Sequence, residues 1–266
     1  MRITVIMSTY NVEEFIDECI SSIVNQTYKN FVVKIIDDNS QDQTAEIIKK
    51  WSFLDNRIQL VTVNKDNKGL TKNLNRLINE SETEYIARMD ADDVMMPTRL
   101  ERQLNFLDSN KDISVVGTWA YDINEFGDVL KKRTFPASNN EIKKKILKTN
   151  PVLHPSVLIR TKDLIELKGY DEQYRYVQDY DLWFRFLGYS KKIVNLPEQL
   201  MKYRVITNHV KKRNLSYRLI DAKIRWRGSK LLGHGFVVRV LTSSFPIILG
   251  LMPNSLKKFA MKFNHN

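Results

Sequence analysis

The sequence is poor in cysteine and in long apolar runs. It has one cysteine, Cys19, in 266 residues, which excludes an intramolecular disulfide and suits a reducing compartment. Its most apolar late segment, residues 236–252, is interrupted by Arg239 and Pro246 and is shorter than the ~20 apolar residues of a membrane-spanning helix. These features argue against a disulfide-stapled secreted domain and against a segment that crosses the bilayer.

Two glycine-rich phosphate-binding motifs, G-x-G-x-x-G and G-x-x-x-x-G-K, are also absent from the sequence. Dinucleotide-dependent redox enzymes and P-loop enzymes hold their phosphates on those motifs. A phosphate-bearing ligand would therefore need another support here. A divalent cation held by clustered carboxylates is one such support.

The charge is divided unevenly along the chain. Residues 201–266 contain 14 Lys and Arg and one acidic residue, Asp221, whereas the first 200 residues contain 28 Lys and Arg and 30 Asp and Glu. A near-neutral body therefore carries a strongly basic C-terminal region. Such asymmetry predicts contact with a polyanion, either a nucleic acid or an anionic membrane surface.

Strand-like and helix-like segments alternate through the first half of the chain. Short apolar runs predict strands at 3–8, 31–36, 58–63 and 85–89, with helical periodicity between them. The second half is more mixed and predicts a hairpin, a strand in "SVLIR", a helix in "DYDLWFRFLGY" and two late strands in "KKIVNLP" and "MKYRVI". The pattern predicts an α/β fold with a mostly parallel, doubly wound sheet, whose ligands bind beyond the carboxyl ends of the strands.

Polar side chains follow four of the predicted strands, where that edge of the sheet would lie. They are Ser8, Thr9 and Asn11; Asp37 and Asp38; Asn64, Asn67 and Lys68; and Asp90, Asp92 and Asp93. The last three form the sequence "DADD", whose crowded negative charges repel one another unless a cation lies between them. Mg²⁺ and Mn²⁺ prefer oxygen ligands, so a metal site is one interpretation. The alternative is an acidic loop that caps the helix beginning near Pro97.

Several motifs, taken in order, resemble those of the inverting family-2 glycosyltransferases with the GT-A fold, of the type that builds bacterial surface polysaccharides. They are "VIMSTYNVEEFIDECISSIVNQTYKNFVVKIIDDNSQDQT", "NKGLTKNLN", "YIARMDADDVMMPTRLERQL", "HPSVLIR" and "KGYDEQYRYVQDYDLWFRF". The resemblance covers roughly residues 1–205. It therefore predicts a GT-A glycosyltransferase domain at 1–205. The basic residues that flank apolar segments in 206–266 predict a basic, amphipathic, membrane-associating region there, and a helical lid packed on the domain is the alternative.

The resemblance implies roles for residues that match the family motifs. Those of the nucleotide-sugar site are Ser8, Thr9, Asp38, Asn67, Lys68, Asp90 and Asp92. "DADD" matches the D-x-D motif, in which one carboxylate contacts ribose and another holds Mn²⁺ or Mg²⁺ on the diphosphate. The sequence leaves open whether Asp92 or Asp93 is the direct metal ligand.

The segment "QDYDLW" matches a family segment whose aspartate is the catalytic base, which implies that role for Asp179. Gln178 stands where glutamate is usual. Asp181 is the alternative base, and a helix cap is the structural alternative for Asp179. His154 and Arg204 are candidates for acceptor binding. The alternatives are a structural role for His154 and a solvated run of charges around Arg204.

The predicted reaction is metal-dependent, inverting transfer of a hexose or N-acetylhexosamine. The donor would be a nucleotide sugar, with uridine diphosphate the expected carrier, and the acceptor a lipid-diphosphate-linked saccharide of O-antigen, capsule or related polysaccharide synthesis. The expected location is cytoplasmic, peripheral at the anionic inner face of the membrane. The competing hypotheses are a nucleic-acid-binding protein, disfavoured by the acidic strand ends, and a non-catalytic membrane scaffold of glycosyltransferase ancestry.

Overall fold

A computed structural model describes residues 1–206 and 215–251 and shows one mixed sheet with helices on both faces. Its strands are β1 Ile3–Thr9, β2 Phe31–Asp37, β3 Ile58–Val63, β4 Tyr85–Arg88, β5 Val94–Met95, β6 Ile113–Ile123, β7 Val129–Arg133, β8 Leu158–Arg160 and β9 Lys192–Arg204. Its helices are α1 Ile16–Val24, α2 Thr44–Leu54, α3 Leu70–Asn79, α4 Arg99–Ser109, α5 Asn139–Lys145, α6 Thr161–Glu166, α7 Gln178–Gly188, α8 Leu215–Leu231 and α9 Phe236–Leu251. A 3-10 turn covers His154–Ser156.

The sheet has the strand order β3-β2-β1-β4-β8-β6-β9-β5, with β7 paired to β6. The first four strands run parallel, as the alternating pattern predicts. Beyond β4 the sheet is mixed, because β8 runs antiparallel to both of its neighbours while β6 and β9 are parallel to each other. Parallel pairing therefore joins the first four strands to one another and β6 to β9, and the other strand pairs are antiparallel.

The two late strands expected around Pro197 are one continuous strand, β9. Proline lacks the N–H needed for a regular ladder, which is why the sequence suggested a break. The pairing with β6 shifts register at that point, from Thr118 opposite Leu196 to Trp119 opposite Gln199. This irregularity accommodates Pro197 without ending the strand.

Two apolar cores lie on opposite faces of the sheet. One face packs against α1, α2 and α4 and buries Cys19 completely; the other packs against α3, α6, α7 and α8. Successive β1 residues alternate between them, with Val5 and Met7 in the first core and Ile6 in the second. Fully burying each such side chain contributes about 1.5–3 kcal/mol, so the register of β1 is firmly set.

The C-terminal helices form a pair beside α7. Ile224 of α8 is buried in the second core, and Gly228 lies so close to the Phe184 ring that an added Cβ would sit 2.2 Å from it. Among residues 1–206 and 215–251, no helix has the length and apolar character needed to cross a bilayer. A boundary at 205 stays a prediction, and α8 shares the core of the preceding residues.

Candidate active site

The parallel strands bring their carboxyl ends to one edge of the sheet. Thr9 lies opposite Asp37 in the β1–β2 pairing, and Ile6 lies opposite Arg88 in the β1–β4 pairing. The Thr9 hydroxyl donates to Asp37 Oδ1 at 3.0 Å, and both residues are buried. The "DADD" loop begins two residues after β4, so it emerges beside the ends of β1 and β2.

Asp38 holds together the segment that follows β3. Its carboxylate accepts hydrogen bonds from the Asn64 side chain and from the backbone N–H groups of Lys68 and Gly69, at 2.8–2.9 Å. Burial raises the pKa of Asp38, but hydrogen bonds from Asn73, Asn64 and these backbone groups outweigh that effect and lower it. Asp38 is thus ionised at neutral pH and shapes the segment.

The other residues predicted for the nucleotide are near this cluster. Ser8 Oγ accepts a hydrogen bond from Asn73 at 3.0 Å. Asn67 and Lys68 are exposed and line a cavity of about 260 Å³ beside the start of α3, although the Lys68 ammonium pairs with Asp66 at 2.7 Å. The structure therefore gathers the Ser8, Asp38 and Asn67–Lys68 segments at one edge.

The "DADD" carboxylates converge as a metal site requires. One oxygen from each of Asp90, Asp92 and Asp93 lies within 4.8 Å of the others. Burial and the Asp90 charge raise the pKa of Asp92 to about 6, and the same two causes, with Asp92, raise the pKa of Asp93 well above its usual value. Crowded like charges make the ionised cluster costly, and a bound cation would remove that cost.

Asp93 and Arg204 tie this loop to β9. Asp93 is 1% exposed; its Oδ1 accepts from the Arg204 backbone N–H at 2.8 Å, while its Oδ2 is buried and has no partner within residues 1–206 and 215–251. The Arg204 guanidinium donates to Asp92 O, to two carbonyls of the β6–β7 turn and to Glu18. The Arg204 side chain is 1% exposed. Its position therefore favours a role in supporting the "DADD" loop over the predicted role in binding the acceptor.

Arg88 is a site residue that the sequence reasoning missed, although it lies two positions before "DADD". It is 2% exposed and pairs with the Asp90 carboxylate. Its Nε and Nη1 atoms are buried without a hydrogen-bond partner in the described structure. A buried guanidinium placed here offsets part of the negative charge of the carboxylate cluster.

Asp179 lies in the first turn of α7, and its carboxylate accepts from Asn150 Nδ2 at 2.6 Å. Burial raises the pKa of Asp179, while the Asn150 hydrogen bond opposes that rise. Val177, immediately before α7, has a left-handed backbone with φ of 60°. That conformation costs a β-branched residue of order 1–3 kcal/mol, and such strain often marks functional sites.

The contacts of Asp181, the alternative base, indicate a structural role. It accepts from Arg185 Nε at 2.7 Å, and the same guanidinium donates to the carbonyls of Leu167 and Gly169. These contacts fasten α7 to the loop after α6. Asp181 does not line the cavity that contains Asp179.

His154 is buried at the floor of the same cavity. Its Nε2 lies 2.7 Å from the Tyr170 hydroxyl, and its ring packs edge-on against Trp183. Burial and the nearby Arg88 charge lower the pKa of His154 well below its usual value, so the ring is neutral. The predicted acceptor contact by His154 stays a prediction; its position in the cavity is compatible with it.

Two large cavities meet at the "DADD" loop. One, of about 610 Å³, is lined by Asp90, His154 and Asp179; the other, of about 620 Å³, is lined by Asp92 and Arg204. Arg133 and Tyr203 line both. We refer to the first as the Asp179 cavity. Three α8 residues, Tyr217, Asp221 and Arg225, also line it, which the sequence pattern did not predict.

The chain is similar in sequence to known glycosyltransferases. The family model "Glycosyl transferase family 2" matches residues 4–167. An uncharacterized glycosyltransferase, MJ1057, of Methanocaldococcus jannaschii is 37% identical over 86% of this chain and 80% of its own length. The O-antigen biosynthesis glycosyltransferase WbnJ of Escherichia coli is 34% identical over 81% of this chain and 84% of its own.

The fold also matches a solved structure. The crystal structure of S. aureus TarS 1-349 in complex with UDP-GlcNAc superposes with a TM-score of 0.70 at 20% identity, covering 91% of this chain and 69% of that one. In a longer crystallised TarS chain the match spans 41% of the length. These matches confirm the α/β fold as GT-A. The chain belongs to glycosyl transferase family 2 and is a glycosyltransferase.

Proposed function

We propose that the chain transfers a hexose or N-acetylhexosamine from a nucleotide sugar to a lipid-diphosphate-linked saccharide during O-antigen, capsule or related surface-polysaccharide synthesis. The observation that carries the proposal is that Asp90 of the carboxylate cluster and Asp179 line one cavity. The carboxylate proposed to contact the donor and the candidate base therefore line the same cavity. The O-antigen role of WbnJ supports the pathway, and the TarS complex makes UDP-GlcNAc the first donor to test.

The carboxylate cluster fits a divalent cation. Asp93 Oδ2 is a buried acceptor without a donor among the described residues, and one oxygen from each of Asp90, Asp92 and Asp93 lies within 4.8 Å of the others. Asp92 and Asp93 would hold Mn²⁺ or Mg²⁺, with Asp90 on the donor. When bound, the cation would supply charge neutralisation for the nucleoside diphosphate leaving group.

Asp179 acts as the base in this proposal. Its carboxylate takes the proton of the acceptor hydroxyl while that oxygen attacks the anomeric carbon. The bond to the donor phosphate breaks on the opposite side, so the anomeric configuration inverts. An α-linked donor would give a β-glycoside.

The α8–α9 pair is proposed to rest on an anionic membrane surface. Lys223, Arg227 and Lys230 recur at helical spacing on exposed positions of α8. Phe236 and Leu241 of α9 are 69% and 65% exposed. Basic side chains next to exposed apolar ones suit the lipid headgroup region.

A turnover assay tests the enzymatic proposal. The full-length chain is incubated with a panel of nucleotide sugars and a synthetic lipid-diphosphate saccharide, with Mn²⁺ or with EDTA. Turnover of one donor, lost with EDTA and restored by Mn²⁺, is the expected result. Absence of turnover with every donor and acceptor, from a protein with native circular dichroism, would favour the scaffold hypothesis.

Vesicle sedimentation tests the membrane contact separately. We expect the chain to bind vesicles with anionic phosphatidylglycerol and to bind weakly to neutral phosphatidylcholine. The double variant Phe236→Ser/Leu241→Ser should lose binding. Phe53→Ser is the matched control, because Phe53 is 92% exposed on α2, away from these helices. Equal binding by all three proteins would contradict this part of the proposal.

A further inference from the structure

Another, smaller cavity lies beside the Asp179 cavity. It has a volume of about 280 Å³ and is lined by residues of the β7 end and of the loop after α5. Its lining includes Lys131, Lys132, Arg133 and Lys145, and none of the described residues that line it is acidic. We call it the lysine groove.

The lysine groove adjoins the Asp179 cavity. Arg133, Phe135, Thr149 and Asn150 line both spaces. Asn150 is also the residue that donates to Asp179 at 2.6 Å. A ligand with a hydroxyl at Asp179 would reach the groove by passing Asn150.

We propose that the lysine groove binds a phosphoryl group of the acceptor. This inference rests on the proposed function and names the chemistry by which the acceptor is recognised. A phosphate or diphosphate is the anion that compact, rotatable lysine ammonium groups bind well.

The ion pairs of the groove leave positive charge for a ligand. Arg133 makes two hydrogen bonds to buried Asp122, at 2.5 and 2.9 Å, so it serves as a fixed wall. Lys131 lies 3.7 Å from the same carboxylate, which is already shared with Arg133. Lys132 is exposed and has no ion-pair partner within residues 1–206 and 215–251. Within the described residues, Lys131 and Arg133 thus share one carboxylate and Lys132 pairs with none.

Two structural explanations account for part of this charge. Lys143, Lys144 and Lys145 occupy the last turn of α5, where cations stabilise a helix terminus. That effect does not apply to Lys131 and Lys132, which lie on β7. A second explanation does apply to them, because lysines on an edge strand oppose edge-to-edge aggregation. This second explanation predicts that activity does not depend on the phosphate of the acceptor.

The test compares acceptors that differ only in phosphate. The full chain is assayed with one saccharide carried on a short-chain alkyl diphosphate, on a long-chain lipid diphosphate in vesicles, and on a neutral alkyl glycoside. The double variant Lys131→Gln/Lys132→Gln should lose about 10-fold or more in kcat/KM for both diphosphate acceptors, with donor KM unchanged. Loss for the vesicle-borne acceptor alone would show that the lysines act on the membrane, and would overturn the proposal.

A matched control and a binding measurement separate the two proposals. Lys49→Gln/Lys50→Gln removes the same charge from exposed positions of α2, and should leave all rates unchanged. Metal-free calorimetric titration of the short-chain alkyl diphosphate requires no turnover. About 10-fold weaker binding by the Lys131/Lys132 variant supports the groove even if no donor reacts. Equal binding by variant, control and parent overturns it.

Discussion

Replacing Asn150 by alanine should shift the pH dependence of transfer. Asn150 donates to the Asp179 carboxylate at 2.6 Å and stabilises its ionised form. A hydrogen bond to a charged group is worth about 1.5–3 kcal/mol, which corresponds to about a 10- to 100-fold change in the ratio of ionised to protonated carboxylate. Removing the donor therefore raises the pKa of Asp179 further.

The direction of the effect follows from the proposed role of Asp179 as the base. Asp179 must be ionised to take a proton, so activity falls as the pH drops through its raised pKa. In Asn150→Ala the acid limb of the kcat profile should move to higher pH, with a loss of about 10- to 100-fold on that limb and little loss at high pH.

The assay is a pH–rate profile at saturating donor, with Thr149→Ala as the control. Thr149 lines the same cavity and makes no hydrogen bond to Asp179. The acid limb of its profile should lie at the same pH as that of the parent chain. A uniform loss at every pH in Asn150→Ala, without movement of the acid limb, would refute the assignment of Asp179 as the titrating base.

Three further predictions concern the metal site, the base and stability. Mn²⁺ at about 100 times its Kd should stabilise the parent chain by about 2.7 kcal/mol in thermal unfolding, and Asp93→Asn should abolish that increase. Gln178→Glu should move the acid limb to higher pH, because a neighbouring negative charge raises the pKa of Asp179. A hydrogen bond from Arg2 lowers the pKa of Asp108 to about 2, so Asp108→Asn should cost about 1 kcal/mol in urea unfolding at pH 7, allowing for Arg2 being 37% exposed. That difference should disappear as the pH falls from about 4 towards 2, because the stabilisation is present above the unfolded pKa of about 3.9.

Local patterns predicted the strand ends well. Each of the first four strands is a short apolar run with polar residues after it, and parallel pairing brings those ends together. The amphipathic pattern of "DYDLWFRFLGY" also placed Asp179 at the start of a helix, where the structure has it. These features depend on residues close together in the sequence.

The partners of the site residues were not predictable in the same way. Asn150 lies 29 residues before Asp179, and Arg204 lies 111 residues after Asp93. No periodicity or turn signal encodes such contacts, which arise only when α7 and β9 pack beside the loop. The same holds for Arg225 of α8. The basic charge of the C-terminal region suggested that its residues face a polyanion, but Arg225 lines the Asp179 cavity.

The most direct test of the central claim is the transfer rate of Asp179→Asn. Asparagine has the same shape and can still accept from Asn150, so the fold and donor binding should be unchanged. We expect kcat to fall by about 100-fold or more, the typical contribution of general base catalysis, while the donor Kd stays that of the parent chain. Transfer at the parent rate, with loss in Asp181→Asn instead, would contradict the account.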